Sequence, residues 1–315
     1  MMSQVVVVGA GDWGQKLIRA FHDLGALAGI VESDPTGGGQ LALPYPDVTL
    51  YTDYRDALQT GSALVIATPP ATHYPLAHAA LVAGRDVFVE KPMSLRTSDA
   101  SDLADLADRQ SSVLMVGYLS LYQPAIVWLQ KYLATGQAGV IQHIATQQTG
   151  FDPVQPEETV WWSLAPQDVS VILSLLGNPS LESIQAAGQS MVQPNLEDQV
   201  HVNLTFGTGQ TAHIHCSRFW PERRSQTIVL AEKQMIVYDA LTQTIQIHHK
   251  GVGSGLNPPD QGCYSPSDFE TFDPLHLECE HFLQCLQTRE RPQSDGWSGV
   301  AVVHILEQVQ EILRG

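Results

Sequence analysis

The chain has 315 residues, 43% of them hydrophobic, and a formal net charge of −17. That length suggests about two domains at roughly 150 residues each, with ample core to fold without disulfides. The charge argues against nucleic acid as a general partner, because no basic field exists to neutralise phosphates. No apolar run approaches the ~18 residues that a membrane span needs.

The opening MMSQVVVVGAG has neither a cationic start nor a cleavage site, so no signal peptide is expected. Four cysteines (Cys216, Cys263, Cys279, Cys285) form no CxxC pair, and Cys279 and Cys285 fall on different faces of one predicted helix. This argues against structural zinc and a disulfide framework, and for a reducing cytoplasm.

In chain order, Val5 to Val8 is a continuous β-branched run, suited to a parallel strand buried on both faces. Gly9-x-Gly11-x-x-Gly14 follows, spanning Asp12 and Trp13. Then Trp13, Leu17, Ile18, Phe21 and Leu24 repeat at helical spacing, closed by Gly25. Strand, glycine turn and helix in that order form a dinucleotide-binding pattern. The glycines admit a pyrophosphate to the backbone, and the helix N-terminus offers unpaired N–H groups. A plain tight turn is the competing reading, and a P-loop is excluded because no Gly-Lys-Ser/Thr follows.

The second strand ends near Val31. Glu32, 18 positions beyond Gly14, stands where an acid binds an adenosine ribose. A carboxylate there accepts hydrogen bonds from the ribose hydroxyls and repels a 2′-phosphate, so NAD is favoured over NADP. Asp34 competes for that role, and an exposed loop acid is the plainer alternative. The irregular stretch from Asp34 to Pro46 reads as an exposed loop.

Ala63 to Ala67 reads as a strand, with Thr68-Pro69-Pro70 as a rigid turn at its carboxyl end, where open α/β sheets bind ligands. A helix from Tyr74 to Ala83, a strand from Val87 to Val89, a helix from Ser98 to Gln110 and a strand from Val113 to Gly117 complete a mostly parallel unit. Beyond it, seven strands are predicted: Ile141–Thr149, Ser183–Met191, Gln199–Phe206, Gln210–Cys216, Gln226–Leu230, Gln234–Tyr238 and Thr244–His249. The twelve histidines show no metal spacing, and the adjacent His248 and His249 point to opposite faces of a strand, so no metal is expected.

GxGxxG, then TPPxxH from Thr68 to His73, then AGRDVFVEKP ending in Glu90-Lys91-Pro92, resembles the Gfo/Idh/MocA family of NAD(P)-dependent oxidoreductases. The resemblance runs over essentially the whole chain, including the C-terminal LECEHFLQCLQTRERP segment. The stretch WWSLAPQDVSVILSLLG is similar to a UDP-N-acetylglucosamine 3-dehydrogenase-like branch. The resemblance implies an α/β protein of two domains. Residues 1–118 form a doubly wound Rossmann sheet, and 119–315 form an α/β domain with an open, mainly antiparallel sheet. It implies that the glycine turn, Glu32, the Thr68–Pro70 turn, His73 and Glu90-Lys91-Pro92 hold the cofactor. It also implies a homodimer or homotetramer.

In the family the lysine of this signature lies beside nicotinamide and substrate, a role that carries over to Lys91. A surface ion pair with Glu90 is the plainer reading. A lysine can take a hydroxyl proton or polarise the oxygen when desolvation or nearby charge lowers its pKa. The family's second proton-handling group is a histidine, within Ala-Pro-His-Asp in the branch this chain resembles. Here the stretch reads Ala165-Pro166-Gln167-Asp168. Glutamine cannot shuttle a proton near pH 7. Asp168 is a candidate acid or base. Pro166 at the first helical position and Asp168 in the first turn equally suit a plain helix start.

Tyr118, Tyr122 and Trp162 are candidates to line a sugar pocket, with ordinary core packing the alternative for each. Trp161 and Trp162 read as preceding the helix that carries Gln167. Arg218, Arg223 and Arg224 cluster in a chain with only 16 basic residues and suit a diphosphate, or else surface pairing with Glu222. The leading expectation is a sugar or nucleotide-sugar dehydrogenase with Lys91 and Gln167 on the nicotinamide from opposite domains. A catalytically weak NAD- and ligand-binding relative is the competitor, because of Gln167. Reduction of an imine or a tetrapyrrole is a third reading.

Overall fold

Fourteen strands and eight helices occur among the described residues, which in this computed structural model are 4–34, 44–60, 63–151, 159–249, 261–264 and 272–315. The strands are β1 (Val5–Val8), β2 (Leu27–Val31), β3 (Thr49–Tyr51), β4 (Ala63–Ile66), β5 (Val87–Glu90), β6 (Leu114–Gly117), β7 (Ile141–Phe151), β8 (Leu181–Gln189), β9 (Gln199–Phe206), β10 (Thr211–Ser217), β11 (Phe219–Ala231), β12 (Gln234–Asp239), β13 (Thr244–His249) and β14 (Gln261–Tyr264). The helices are α1 (Asp12–Asp23), α2 (Tyr54–Ala57), α3 (His73–Val82), α4 (Thr97–Gln110), α5 (Pro124–Ala134), α6 (Val160–Leu176), α7 (Pro274–Thr288) and α8 (Gly296–Arg314). Most of the expected loop from Asp34 to Pro46 lies outside the described residues.

The chain divides into two units, Met1–Leu119 with Asp273–His304, and Ser120–Phe272 with Ile305–Gly315. The first holds a six-stranded sheet in the order β3-β2-β1-β4-β5-β6. Every neighbouring pair in it is parallel. Strands β1, β4, β5 and β6 are buried along their whole length, as their unbroken apolar runs require. The strand order reverses direction between β1 and β4, which makes their carboxyl ends the natural ligand crevice.

A single cut at residue 118 does not describe this division, because residues 273–304 return to the first unit. The physical reason is aromatic. Phe282 of α7 meets Phe88 of β5 with ring centroids 5.6 Å apart, and Phe21 of α1 at 6.5 Å, both edge-on.

The second unit is built on an eight-stranded sheet in the order β14-β13-β12-β11-β7-β10-β9-β8. All its neighbours are antiparallel except β7 and β10. Alternate residues of β9 and β10 (Val200, Val202, Leu204, Ala212, Ile214, Cys216) are buried. Helix α6 packs on β7, β9 and β10.

Helix α6 begins earlier than the sequence suggests. Its cap is Thr159, whose hydroxyl accepts from the Trp162 N–H at 3.4 Å. Pro166 therefore lies inside the helix and not at its start, and Trp161 and Trp162 belong to the first turn. An interior proline costs about 3 kcal/mol. The buried stripe of Val160, Trp161, Ala165, Val169 and Ile172 offsets that cost by carrying the helix across the sheet.

Candidate active site

In the first unit, parallel pairing brings the carboxyl ends of β1, β2, β4 and β5 to one edge. Gly9 opens the turn after β1 with φ +94°, and a Cβ there would meet Ala67 O and Thr68 Cγ2 at 2.8 Å. Gly14 packs so closely on the Gly9 carbonyl that no side chain fits. Gly11 has nothing within 4 Å of a Cβ position. It is also the N-cap of α1, which carries no side-chain cap. The first N–H groups of α1, on Asp12, Trp13 and Gly14, thus keep their donors and the helix its positive end. Open space in front of uncapped donors fits a pyrophosphate.

Glu32 follows β2. One carboxylate oxygen accepts from Ala10 N–H of the glycine turn at 3.1 Å, the other from Asp34 N–H at 2.9 Å. These contacts fix the carboxylate beside the turn and leave lone pairs for ribose hydroxyls. Asp34 serves this position through its backbone.

After β4, Thr68, Pro69 and Pro70 form the expected turn. The Thr72 hydroxyl lies 2.7 Å from Thr68 Oγ1 and from Pro69 O. His73, the first residue of α3, is buried and places Nε2 2.7 Å from Thr68 O and Nδ1 2.7 Å from Pro92 O. Burial is the largest influence on this ring and holds it below the ordinary imidazole range. One imidazole thus ties the β4 turn to the turn after β5, whose Lys91–Pro92 bond is cis.

Glu90 ends β5 and is 8% exposed. Its carboxylate accepts from the Trp13 indole N–H at 2.5 Å and from the Lys91 backbone N–H at 3.2 Å. Burial pushes it up to about 7, against those two donors and the Lys91 charge. Its neighbour across the sheet is Gly117, where a Cβ would sit 2.9 Å from Glu90 Oε1. Lys91, half-buried, follows at the strand's carboxyl end. The first unit therefore gathers all thirteen expected cofactor positions at one edge, from the glycine turn through Glu32, Thr68–Pro70 and His73 to Glu90, Lys91 and Pro92.

Tyr118, just beyond β6, is fully buried, and its hydroxyl has no hydrogen-bond partner among the described residues. Burial pushes its phenol well up. In the second unit, Gln167 and Trp162 are half-buried on α6. The Gln167 side-chain oxygen accepts from Ser120 N–H at 3.0 Å. Asp168, 5% exposed, turns towards the sheet. Its Oδ1 accepts from Gln148 Nε2 at 3.1 Å, and Oδ2 is buried without a hydrogen-bond partner among the described residues. Burial pushes this carboxyl up to about 6, opposed by Gln148 and Thr146.

The three arginines do not form one cluster. Arg218 is 3% exposed, with its guanidinium 3.5 Å from Thr159 O. Arg223 and Arg224 are exposed on β11, and Arg224 pairs with Glu222. Sequence reasoning passed over Glu278 of α7, whose side chain is fully buried in the first unit. The signal was an acid one turn before Phe282, on the apolar face of its helix.

A family model described as an oxidoreductase family with NAD-binding Rossmann fold matches residues 3–118, and one described as a GFO/IDH/MocA C-terminal domain matches residues 126–237. The chain is 25% identical over 313 residues to UDP-N-acetylglucosamine 3-dehydrogenase of Acidithiobacillus ferrooxidans, covering 96% of this chain and 95% of the relative. It is 22% identical over 246 residues to the NAD(+)-dependent scyllo-inositol 2-dehydrogenase of Bacillus subtilis, covering 73% and 69%. A solved structure of the Acidithiobacillus ferrooxidans enzyme superposes with a TM-score of 0.89 at 24% identity, covering 99% and 98% of the two chains. Levoglucosan dehydrogenase in complex with NADH gives 0.88 at 15% identity, covering 99% and 97%. At these identities the superpositions speak to the fold.

Proposed function

The chain belongs to the Gfo/Idh/MocA family of NAD-binding oxidoreductases, and from that premise we propose that it oxidises a hydroxyl of a sugar or nucleotide sugar with Lys91 as the main catalytic group. The observation that carries the reading is the Trp13–Glu90–Lys91 connection. A residue of the pyrophosphate-binding helix holds the carboxylate whose neighbour is the lysine. The donors of Asp12, Trp13 and Gly14 would receive the pyrophosphate and Glu32 the adenosine ribose. NAD, when bound, supplies the hydride acceptor. Lys91 takes the hydroxyl proton, and its ammonium form favours the Glu90 carboxylate against the burial that raises it.

The 25% identity over nearly the full chain favours a UDP-linked amino sugar among sugars. The reading includes a homodimer or homotetramer, supported by partly exposed Ile228 and Met235 on the large sheet of the second unit. It includes a reducing cytoplasmic setting, supported by the free buried thiols of Cys216, Cys279 and Cys285. Among the described residues no helix is long and apolar enough to cross a membrane.

A second reading, a catalytically weak relative that binds NAD and a ligand, is favoured by Gln167. Its side-chain oxygen is occupied by Ser120 N–H, and no proton can pass through it. One experiment separates the two. Purified protein is mixed with NAD and a panel of UDP-sugars and inositols, and NADH absorbance is followed. Turnover by the wild type supports the dehydrogenase. Tight NAD binding without turnover, together with a gain in Gln167→His, selects the weak relative. Failure to bind NAD overturns both.

A further inference from the structure

Behind the Glu90–Lys91 turn lies a second acid that no step above uses. Glu278 of α7 is 0% exposed, and neither of its carboxyl oxygens has a hydrogen-bond partner among the described residues. Helix and strand geometry place it. Phe282 of α7 packs on Phe88 of β5. Four residues back along a helix is about 6 Å, and two residues on along a strand is about 6.6 Å. The same step from that aromatic contact leads to Glu278 on the helix and to Glu90 on the same face of the strand. The Glu90 charge accordingly acts on Glu278.

Two neighbouring carboxyls in a dry interior do not both ionise; they share a proton. The surroundings decide which one holds it. Glu90 has the Trp13 indole from α1, its own backbone neighbour and the Lys91 charge from β5. Gly117 of β6 offers no titratable group. Glu278 has only burial and the Glu90 charge, both pushing it well up, with the buried Cys279 beside it on α7. We propose that Glu278 is a positioning residue, a carboxyl that stays protonated at neutral pH so that Glu90 alone carries the charge held against Trp13 and Lys91. The consequence for Lys91 rests on the dehydrogenase reading above.

Two measurements test this, and the first is independent of activity. Infrared spectra of native protein with 13C-labelled glutamate carboxyls, at pH 8, should show one protonated carboxyl that Glu278→Gln removes. If the band is absent from the wild type, or persists in Glu278→Gln, the proposal is overturned. If Glu278→Gln does not fold, the wild-type spectrum alone decides. The second measurement is the acidic limb of the kcat/KM profile, which follows protonation of Glu90. Glu278→Leu replaces a neutral polar neighbour of Glu90 with an apolar one, which disfavours the charged form, and should move the limb to higher pH by about one pH unit. Glu278→Gln, neutral and polar, should leave it near the wild-type position. A limb unmoved by Glu278→Leu, or one that Glu278→Gln shifts to lower pH, overturns the proposal, the latter because it shows Glu278 charged. Loss of NAD reduction by the wild type would sink the dehydrogenase reading and leave the infrared outcome standing.

Discussion

Helix α1 and helix α6 carry the polar groups of this protein in opposite ways. The N-terminus of α1 has no side-chain cap and open space before Gly11, so its backbone donors remain available. The N-terminus of α6 is closed by Thr159, and its polar candidates, Gln167 and Asp168, stand within the helix body. One helix offers its end, through backbone atoms every sequence has, and needs only glycines to expose them. The other acts through side chains, so its chemistry turns on the identity of single residues. On the proposed reading, Gln167 is the residue that decides what α6 can do to a proton, since an amide cannot carry one near pH 7.

The largest test of this contrast is on the side that α1 serves. Lys91→Met should lower kcat by about 10²–10⁴-fold, the usual worth of a general acid–base group. NAD affinity, followed by calorimetry, should stay near wild type if, as proposed, the backbone of α1 and Glu32 provide most of the hold on the cofactor. Loss of binding with loss of turnover would mean that Lys91 supports the cofactor cradle, and the separation between end-binding and side-chain chemistry would fail.

A smaller effect is expected on α6. Burial pushes the Asp168 carboxyl up to about 6, above the ordinary 3.8. The folded state therefore binds this proton more tightly than the unfolded state. Below about pH 4 both states are protonated and there is no penalty. As pH rises from about 4 to 6 the unfolded state ionises first, stability is lost, and above about 6 the loss is constant. A shift of this size corresponds to about 3 kcal/mol. Asp168→Asn should raise stability by up to that amount in urea unfolding at pH 8 and change little at pH 3.5. It should keep NAD-linked turnover if the carboxyl serves packing. If turnover collapses while stability rises, Asp168 is a proton-handling group and α6 holds more chemistry than Gln167 suggests.

The first unit was legible because its functional positions are also backbone requirements. Gly9 needs a positive φ, Gly14 must clear the Gly9 carbonyl, and a run such as Val5–Val8 has few uses other than a buried parallel strand. Helix α6 was misread at its start because Pro166 is a strong local signal and Thr159 a weak one. The apolar stripe that overrides the proline acts only once the sheet is present. The arginines failed for a related reason. Spacing placed Arg218 with Arg223 and Arg224, but the chain buries the first and exposes the others. Glu278 has a local signal in its place one turn before Phe282 on the apolar face of α7, but what it faces emerges only once Phe282 packs on Phe88.

The smallest effect sharpens how the cofactor is held. Both oxygens of Glu32 already accept from backbone N–H groups, of Ala10 and Asp34. Those bonds orient the carboxylate, so Glu32→Ala would disturb the glycine turn as well as the ribose contact. Glu32→Gln is the milder probe, because it keeps the shape, removes the charge and can still accept from one of the two N–H groups. A hydrogen bond to a charged group is worth about 1.5–3 kcal/mol. Glu32→Gln should therefore weaken NAD binding about tenfold, equivalent to ~1.4 kcal/mol. NADP should weaken less or tighten, because the charge that repels a 2′-phosphate is gone. Calorimetric titration of both cofactors reads the ratio directly. If the two fall together, the carboxylate acts only by holding Ala10 and Asp34. The preference for NAD would then reside in the backbone of the glycine turn, and the binding end of α1 would owe its specificity to no side chain.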